Sequence, residues 1–297
     1  MRIAIAGGGP AGMAAAVWVR RLGHEPVLYE REARLGGQLH SITLPIPDLP
    51  GFASISAQTL LARLQDQLTA LQVPVRLEHP IVAFDARAKE IADAAGRTFP
   101  ADVLIYGPGL KTRKLGIAGE ETFQERSVSD LLLVKPAQPV LVVGGGDRAA
   151  EAVVRLRQAG VAVDLVHRRH VFRARPGYYR QVLESGARLH LDSEVQEISP
   201  APEGYQVRIR KVDGSSWLWT GDSVLVRIGM EPDGVAGLTG PGGGWDVLPE
   251  RLPTGAWGVG DAVTPVPFRS LVEAYASAMR VVKRLTSDLE RTGWRRD

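Results

Sequence analysis

The 297-residue chain contains no cysteine. That single absence removes disulfides, thiolate nucleophiles, zinc–thiolate sites and iron–sulfur ligation. Histidine is scarce, at 6 residues, and none stands at His-Glu-x-x-His or another ligand spacing, so no metal is expected. Long apolar runs are missing too. Nothing approaches the roughly eighteen consecutive apolar residues that a bilayer span needs. The opening Met1-Arg2-Ile3-Ala4-Ile5 runs straight into a strand and a glycine turn. It lacks the charged region, apolar stretch and small-residue cleavage site of a secretion signal, so the expectation is a cytoplasmic protein. Nor is there a large excess of charge: 36 Lys and Arg against 33 Asp and Glu leave a net +3. That balance suits an acidic protein partner, but no basic stripe with interleaved aromatics follows a nucleic acid.

What is present is glycine and apolar residues, 33 glycines and 44% hydrophobic, in an order that repeats. A chain this long divides into two cores at roughly 150 residues each. Near the start, the apolar run Arg2–Ala6 leads into Gly7-Gly8-Gly9-Pro10-Ala11-Gly12 and an alanine-rich helix to about Leu22. A second strand, Pro26–Tyr29, ends on Glu30. Gly7, Gly9 and Gly12 hold the G-x-G-x-x-G spacing: a tight turn, a close backbone approach to a pyrophosphate, and close helix–strand packing. The helix N-terminus supplies N–H groups and a positive dipole end for phosphates. Glu30, with Arg31 behind it, stands where a carboxylate accepts from ribose hydroxyls.

The pattern returns near residue 140. The strand Val140–Val143 meets Gly144-Gly145-Gly146-Asp147-Arg148-Ala149, a G-x-G-x-x-A variant opening a second helix. The next strand, Val161–Val166, ends in His167-Arg168-Arg169, with Arg173 close behind. A carboxylate there would repel a 2′-phosphate, whereas guanidiniums bind it through charge-assisted paired bonds. The second site therefore reads as one for NADPH. Arg148 falls in the first helical turn, beside the place of the pyrophosphate.

Two dinucleotide folds in one chain have a natural use, one holding a flavin while the other presents a nicotinamide. The cofactors carry that chemistry, which accounts for a sequence without a Ser/His/Asp or paired-carboxylate constellation. After a crossing at Ile228-Gly229-Met230-Glu231-Pro232, the segment Gly255–Asp261 reads as a strand closing on Gly260-Asp261. There Asp261 can accept from a ribityl chain. A helix from about Phe268 to Glu290 comes next, and its start at Arg269-Ser270-Leu271 can direct amides at a flavin ring.

With these pieces in order, the chain resembles the low-molecular-weight thioredoxin reductases over nearly its whole length. The matching stretches are Gly7–Gly12, Gly36-Gly37-Gln38-Leu39, Pro50-Gly51-Phe52, Gly144–Glu151, His167–Ala174 and Gly260-Asp261. The resemblance implies an FAD domain built from both chain ends, with an NADPH domain inserted between them, in a homodimer. It places Gly37, Gln38 and Leu39 along the flavin and the Gly107-Pro108-Gly109 turn beneath it. Thioredoxin reductases carry Cys-x-x-Cys before the second glycine motif, where this chain reads Val128-Ser129-Asp130-Leu131-Leu132-Leu133. Electrons cannot leave by a disulfide here. A branch that also lacks the pair, the thioredoxin reductase-type ferredoxin/flavodoxin–NADP reductases, is similar at Leu35–Leu39, Ile46–Phe52, Ala57–Leu61, Arg113–Leu115 and Gly146-Asp147. That branch adds a C-terminal extension whose aromatic or His stacks on the partner subunit's flavin. Only Thr286–Asp297 follows the core of the last helix here, too little for that subdomain, and Trp294 is weighed as a stacking residue against an exposed tail aromatic.

The expected fold is α/β: two Rossmann-like three-layer units around parallel sheets, FAD-binding over residues 1–110 and 230–297 and NADPH-binding over 111–229. Candidate FAD contacts are Gly7, Gly9, Pro10, Ala11, Gly12, Glu30, Arg31, Gly37, Gln38, Leu39, Gly107, Gly109, Gly260, Asp261, Arg269, Ser270 and Leu271. Candidate NADPH contacts are Gly144, Gly145, Gly146, Asp147, Arg148, Ala149, His167, Arg168, Arg169 and Arg173. His40 is weighed as a proton donor against a structural role, while Tyr275, Trp217 and Trp219 read as core. Tyr178 and Tyr179 flank the second unit's cleft with nothing to single them out. The expected activity is NADPH-dependent electron transfer through FAD to ferredoxin or flavodoxin. The alternatives are a small acceptor (dioxygen, a quinone, a low-molecular-weight disulfide) or a non-catalytic redox sensor.

Overall fold

The apolar run Arg2–Ala6 forms strand β1, buried after its first residue, as a central parallel strand must be. In this computed structural model, which describes residues 1–42, 45–123, 126–240 and 246–291, the glycine turn leads into α1 (Pro10–Arg21). Pro10 stands in its first turn, where a missing N–H costs nothing. β2 (Glu25–Tyr29) runs parallel to β1, Ile3 opposite Pro26 and Ala6 opposite Tyr29. A short 3-10 turn over Gly37–Ser41, helix α2 (Ala57–Ala70) and strand β3 (Val75–Arg76) follow. Next come the antiparallel strands β4 (Ile81–Asp85), β5 (Glu90–Asp93) and β6 (Thr98–Pro100). β7 (Val103–Tyr106) then returns to β1, with Ile3 opposite Val103.

β8 (Leu110–Thr112) leads out of the first unit. α3 (Val128–Val134) precedes β9 (Val140–Gly144), and α4 (Asp147–Gln158) follows the second glycine turn. β10 (Val163–Val166), α5 (Pro176–Glu184) and β11 (Arg188–His190) come next. The antiparallel meander β12 (Ser193–Ala201), β13 (Gly204–Lys211) and β14 (Ser216–Gly221) then gives way to β15 (Ser223–Arg227), parallel to β9. β16 (Met230–Pro232) pairs with β8. The chain ends with α6 (Ala236–Thr239), β17 (Trp257–Gly258) and α7 (Leu271–Arg291).

Two compact units result, Met1–Lys111 with Glu231–Asp297, and Thr112–Met230. The first is built on a parallel sheet of order β17-β7-β1-β2-β3, the second on β11-β10-β9-β15. In each, the chain winds outward from one strand in both directions, so β1 and β9 mark topological switch points, where open α/β sheets bind ligands at their carboxyl ends. Both glycine turns sit there. Alternation along each switch strand sorts its side chains onto two faces. Ile3 and Ile5 join the apolar cluster of α1, α2 and α7, while Ala4 and Ala6 join the cluster containing Ile81 and Ile91 of the small antiparallel sheet. In the second unit Val140 and Val142 face α4, and Leu141 and Val143 face Val207, Ile209 and Trp219 of the meander. Each unit thus has three layers, the third an antiparallel sheet.

Several boundaries differ from the sequence reading; the segment Gly255–Asp261, for one, is a strand only at Trp257–Gly258 and turns into a 3-10 helix from Gly260. β10 begins at Val163 rather than Val161, because Gly160 turns left-handed (φ +85°) and the Val161 N–H closes the end of α4 on the Leu156 carbonyl, at 3.0 Å. α7 begins at Leu271 rather than Phe268, since Val266–Phe268 make a separate 3-10 turn. The Ser270 hydroxyl then accepts from the Glu273 N–H at 3.1 Å and caps the helix. Trp294 lies outside the described residues. Among those residues, no helix is long and apolar enough to cross a membrane.

Candidate cofactor sites

In the first unit, Gly7 holds φ +114°, and a Cβ there would overlap the Gly107 carbonyl oxygen. A Cβ on Gly12 would in turn overlap the carbonyl oxygen of Gly7. Only glycine passes at either point. At Gly9 an added Cβ would meet nothing within 4 Å. α1 starts on that residue without a side-chain cap, whereas α2 and α3 are capped by Ser56 and Ser127. First-turn amides therefore remain for a ligand on the open side.

The other glycines converge on this turn. The Gly36 N–H donates to the Gly8 carbonyl at 2.9 Å, and a Cβ on Gly37 would lie 3.2 Å from the Gly9 Cα. Gly109 lies by the Gln38 amide, with its Cβ position 4.0 Å from Nε2. Gly260, at φ +77°, packs on Ala11, whose Cβ is 2.8 Å from its own Cβ position. Its N–H donates to Ser277 Oγ at 2.9 Å. Glu30 is buried, taking the Gly8 N–H on Oε2 at 2.6 Å and the Glu32 N–H on Oε1 at 2.9 Å. Each oxygen keeps a second lone pair for a hydroxyl donor. Burial pushes the Asp261 carboxyl up, with Arg269 opposing.

Other candidates are engaged within the protein. Arg31 pairs with Asp233 at 2.5 Å. Leu39 is buried in the α1–α2–α7 cluster, against which Leu271 packs. The Arg269 guanidinium donates to the carbonyls of Asp261, Thr264 and Asp246 at 3.2, 3.1 and 3.1 Å, and Ser270 serves as the helix cap. His40 Nε2 donates to the Leu35 carbonyl at 2.8 Å, a structural role.

The second unit repeats the turn with different neighbours. Gly144 holds φ +149° against the Arg227 carbonyl, Gly146 meets nothing within 4 Å, and Ala149 takes the third position. α4 also starts on its glycine without a side-chain cap. A Cβ at Gly145 would enter the ring of His167, which is buried and stacks on Phe172 with centroids 5.4 Å apart. Its Nε2 donates to the Val171 carbonyl at 3.2 Å. Burial lowers the basicity of the imidazole, as do the charges of Arg169, Arg168 and Arg173. Those three guanidiniums are exposed. Arg148 lies against the Met230 thioether. Asp147 accepts the N–H and the Nε–H of Arg175, both at 2.7 Å. Among the described residues no group of three His, Asp or Glu side chains could hold a metal ion.

Open space at Gly9 and Gly146, each beside an uncapped helix start at a switch point, fits the pyrophosphate of a dinucleotide in both units. Residues 1–274 match the pyridine nucleotide-disulphide oxidoreductase family. The chain belongs to that family. It is 27% identical to a ferredoxin–NADP reductase of Ignicoccus hospitalis, over 91% of this chain and 92% of that one. It is 31% identical to a glucosaminate ammonia-lyase of Pseudomonas fluorescens, over 78% and 75%. Its fold matches Lactococcus lactis thioredoxin reductase in the FR conformation at a TM-score of 0.82 and 25% identity, covering 96% and 98% of the two chains. As a member of this oxidoreductase family the chain takes FAD and NADPH as its cofactors, and its lack of cysteine sets it apart from disulfide-relay members.

Two participants escape a reading of the sequence alone. Ser277 shows only as a small polar residue in the buried stripe of α7. Arg175 carries no signal beyond its place before Pro176.

Proposed function

We propose that this chain is an NADPH-dependent FAD oxidoreductase that passes electrons to a one-electron protein carrier such as ferredoxin or flavodoxin, with no disulfide relay. The observation that carries the reading is the pair of glycine turns at two switch points in a chain without a thiol. The likeness to the Ignicoccus ferredoxin–NADP reductase, spread over nearly the whole chain, supports it. We assign FAD to Met1–Lys111 with Glu231–Asp297 and NADPH to Thr112–Met230, in a cytoplasmic homodimer.

When bound, FAD and NADPH supply the hydride and electron chemistry. The protein supplies position and charge. Gly9 and the start of α1 hold one pyrophosphate, and Gly146 and the start of α4 the other. Glu30 accepts from ribose hydroxyls and Asp261 from the ribityl chain. Gly37, Gln38, Gly107 and Gly109 bring backbone close to the ring system. Arg168, Arg169 and Arg173 take the 2′-phosphate that separates NADPH from NADH.

The test is NADPH-driven cytochrome c reduction by the purified yellow protein, with and without ferredoxin or flavodoxin. Stimulation by the carrier that weakens as salt rises is the expected result, since an acidic carrier is steered to a basic surface. Reduction that stays at background with every carrier, from low to moderate salt, overturns the proposal. Turnover with a quinone, dioxygen or a low-molecular-weight disulfide alone would reassign the acceptor.

A further inference from the structure

Three successive N–H groups bind the basic loop to the second glycine turn. The amides of Arg173 and Ala174 both donate to the Gly145 carbonyl, at 2.7 and 3.1 Å. The next amide, of Arg175, donates to Asp147 Oδ1 at 2.7 Å, and its Nε–H reaches Oδ2 at 2.7 Å. Pro176, which has no N–H, then opens α5. Asp147 is the first residue of α4, directly after the open Gly146. A carboxylate there is favoured by the helix dipole, but it also stands beside the place proposed for a doubly charged pyrophosphate. Unpartnered, it would repel that ligand. Paired with Arg175 it is neutralised, and it grips the loop that carries Arg173.

The geometry points to Asp147 and Arg175 as a positioning pair that sets the preference of this site for a 2′-phosphorylated nucleotide. The inference rests on the NADPH reading of the second unit. The pair itself touches no phosphate. It acts through the loop, fixing where the guanidinium of Arg173 stands relative to Gly145. Most of the grip is the charge-assisted bond from the Arg175 backbone, because an exposed ion pair alone contributes little.

Simple electrostatics and the positioning role predict opposite signs. If Asp147 were only a charge near phosphates, Asp147→Ala would tighten binding of NADP+ and NAD+ alike. If it holds the loop, the same change weakens NADP+ and 2′,5′-ADP by about tenfold, one charge-assisted hydrogen bond, and moves NAD+ by less than about twofold. Arg175→Ala keeps the backbone bond but leaves the Asp147 charge uncompensated beside the pyrophosphate, so it weakens NADP+ and NAD+ alike by a smaller amount, about threefold, and Arg175→Lys restores most of it. The measurement is calorimetric titration of the FAD-loaded protein with the three nucleotides, with far-ultraviolet dichroism and flavin content confirming the fold. Unchanged or tighter NADP+ binding by Asp147→Ala overturns the inference. So does a loss for Arg175→Ala exceeding that for Asp147→Ala, which would make Arg175 a direct phosphate ligand. Equal affinity of the parent for NADP+ and NAD+ would overturn both this inference and the NADPH assignment. A parent that prefers NADP+ beside an indifferent Asp147→Ala removes the pair alone.

Discussion

At the close of β2 stands Glu30, and at the matching place of the other unit, the close of β10, stands His167. Each lays its side chain on the middle glycine of its turn: the Glu30 carboxylate on the Gly8 N–H at 2.6 Å, the His167 ring over Gly145. The two loops beyond them differ in sign. Glu30-Arg31-Glu32 leaves an acceptor facing its turn, while His167-Arg168-Arg169 leaves donors and positive charge. The third motif position differs as well, Gly12 in one unit and Ala149 in the other. Both turns keep one open glycine and one uncapped helix. On the proposed assignment the shared backbone provides for a pyrophosphate, and the residues after the second strand choose what lies at the nucleotide's far end.

The sharpest way to break the comparison is at the third glycine. Gly12→Ala drives a Cβ into the Gly7 carbonyl, and the carbonyl is backbone that cannot swing aside. It should cost about 3 kcal/mol, the upper range for overpacking, and abolish FAD retention. Ala149→Gly, at the matching position, should cost only about 1 kcal/mol through helix propensity and leave NADP+ binding intact. Urea denaturation with flavin content measures both. Equal tolerance at the two positions would show that helix α1 lies no closer to its strand than α4 does.

Next in size is the charge of the second unit. Replacing both Arg168 and Arg169 with Gln should weaken NADP+ by about tenfold to a hundredfold, as expected for hydrogen bonds to a charged group. NAD+ should change little, because it lacks the 2′-phosphate. Titration with both nucleotides decides it, and a parallel loss for NAD+ would assign these arginines to the fold rather than to the ligand.

Much of this architecture is legible along the chain because its grammar is local. The glycine spacing, the apolar strand before it and the residue type after the next strand all fall within about thirty residues of one another. The switch-point sheets follow from that order. The details outside that local grammar are long-range. Nothing near Gly260 announces that it packs on Ala11, or that Ser277 holds its N–H. Arg269 and Ser270 sit where a flavin contact is expected, yet the one ties together carbonyls of Asp261, Thr264 and Asp246 and the other caps α7. The Asp213-Gly214 turn signals the hairpin of β13 and β14, but only packing shows Trp219 reaching across to donate to Asp164 at 3.1 Å. Burial alone would raise that carboxyl. Hydrogen bonds from His190 and Trp219, with the charge of Arg188, hold it below its usual value.

The smallest effect expected is one of pH, and it belongs to the second unit. Burial and the charges of Arg169, Arg168 and Arg173 hold the folded His167 below its usual basicity, against the bond to Val171. The unfolded chain therefore takes up this proton first as pH falls. Stability of the second unit should be complete above the unfolded value of about 6.5. It should then decline until the pH passes the lowered folded value, because the unfolded state binds more protons throughout that window. Hydrogen exchange on β9 and β10 as a function of pH reads this directly, and His167→Gln should flatten the profile while leaving β1 and β2 unaffected. A decline that persists unchanged in His167→Gln would place the titrating group elsewhere. The difference between Glu30 and His167 would then be one of ligand chemistry alone.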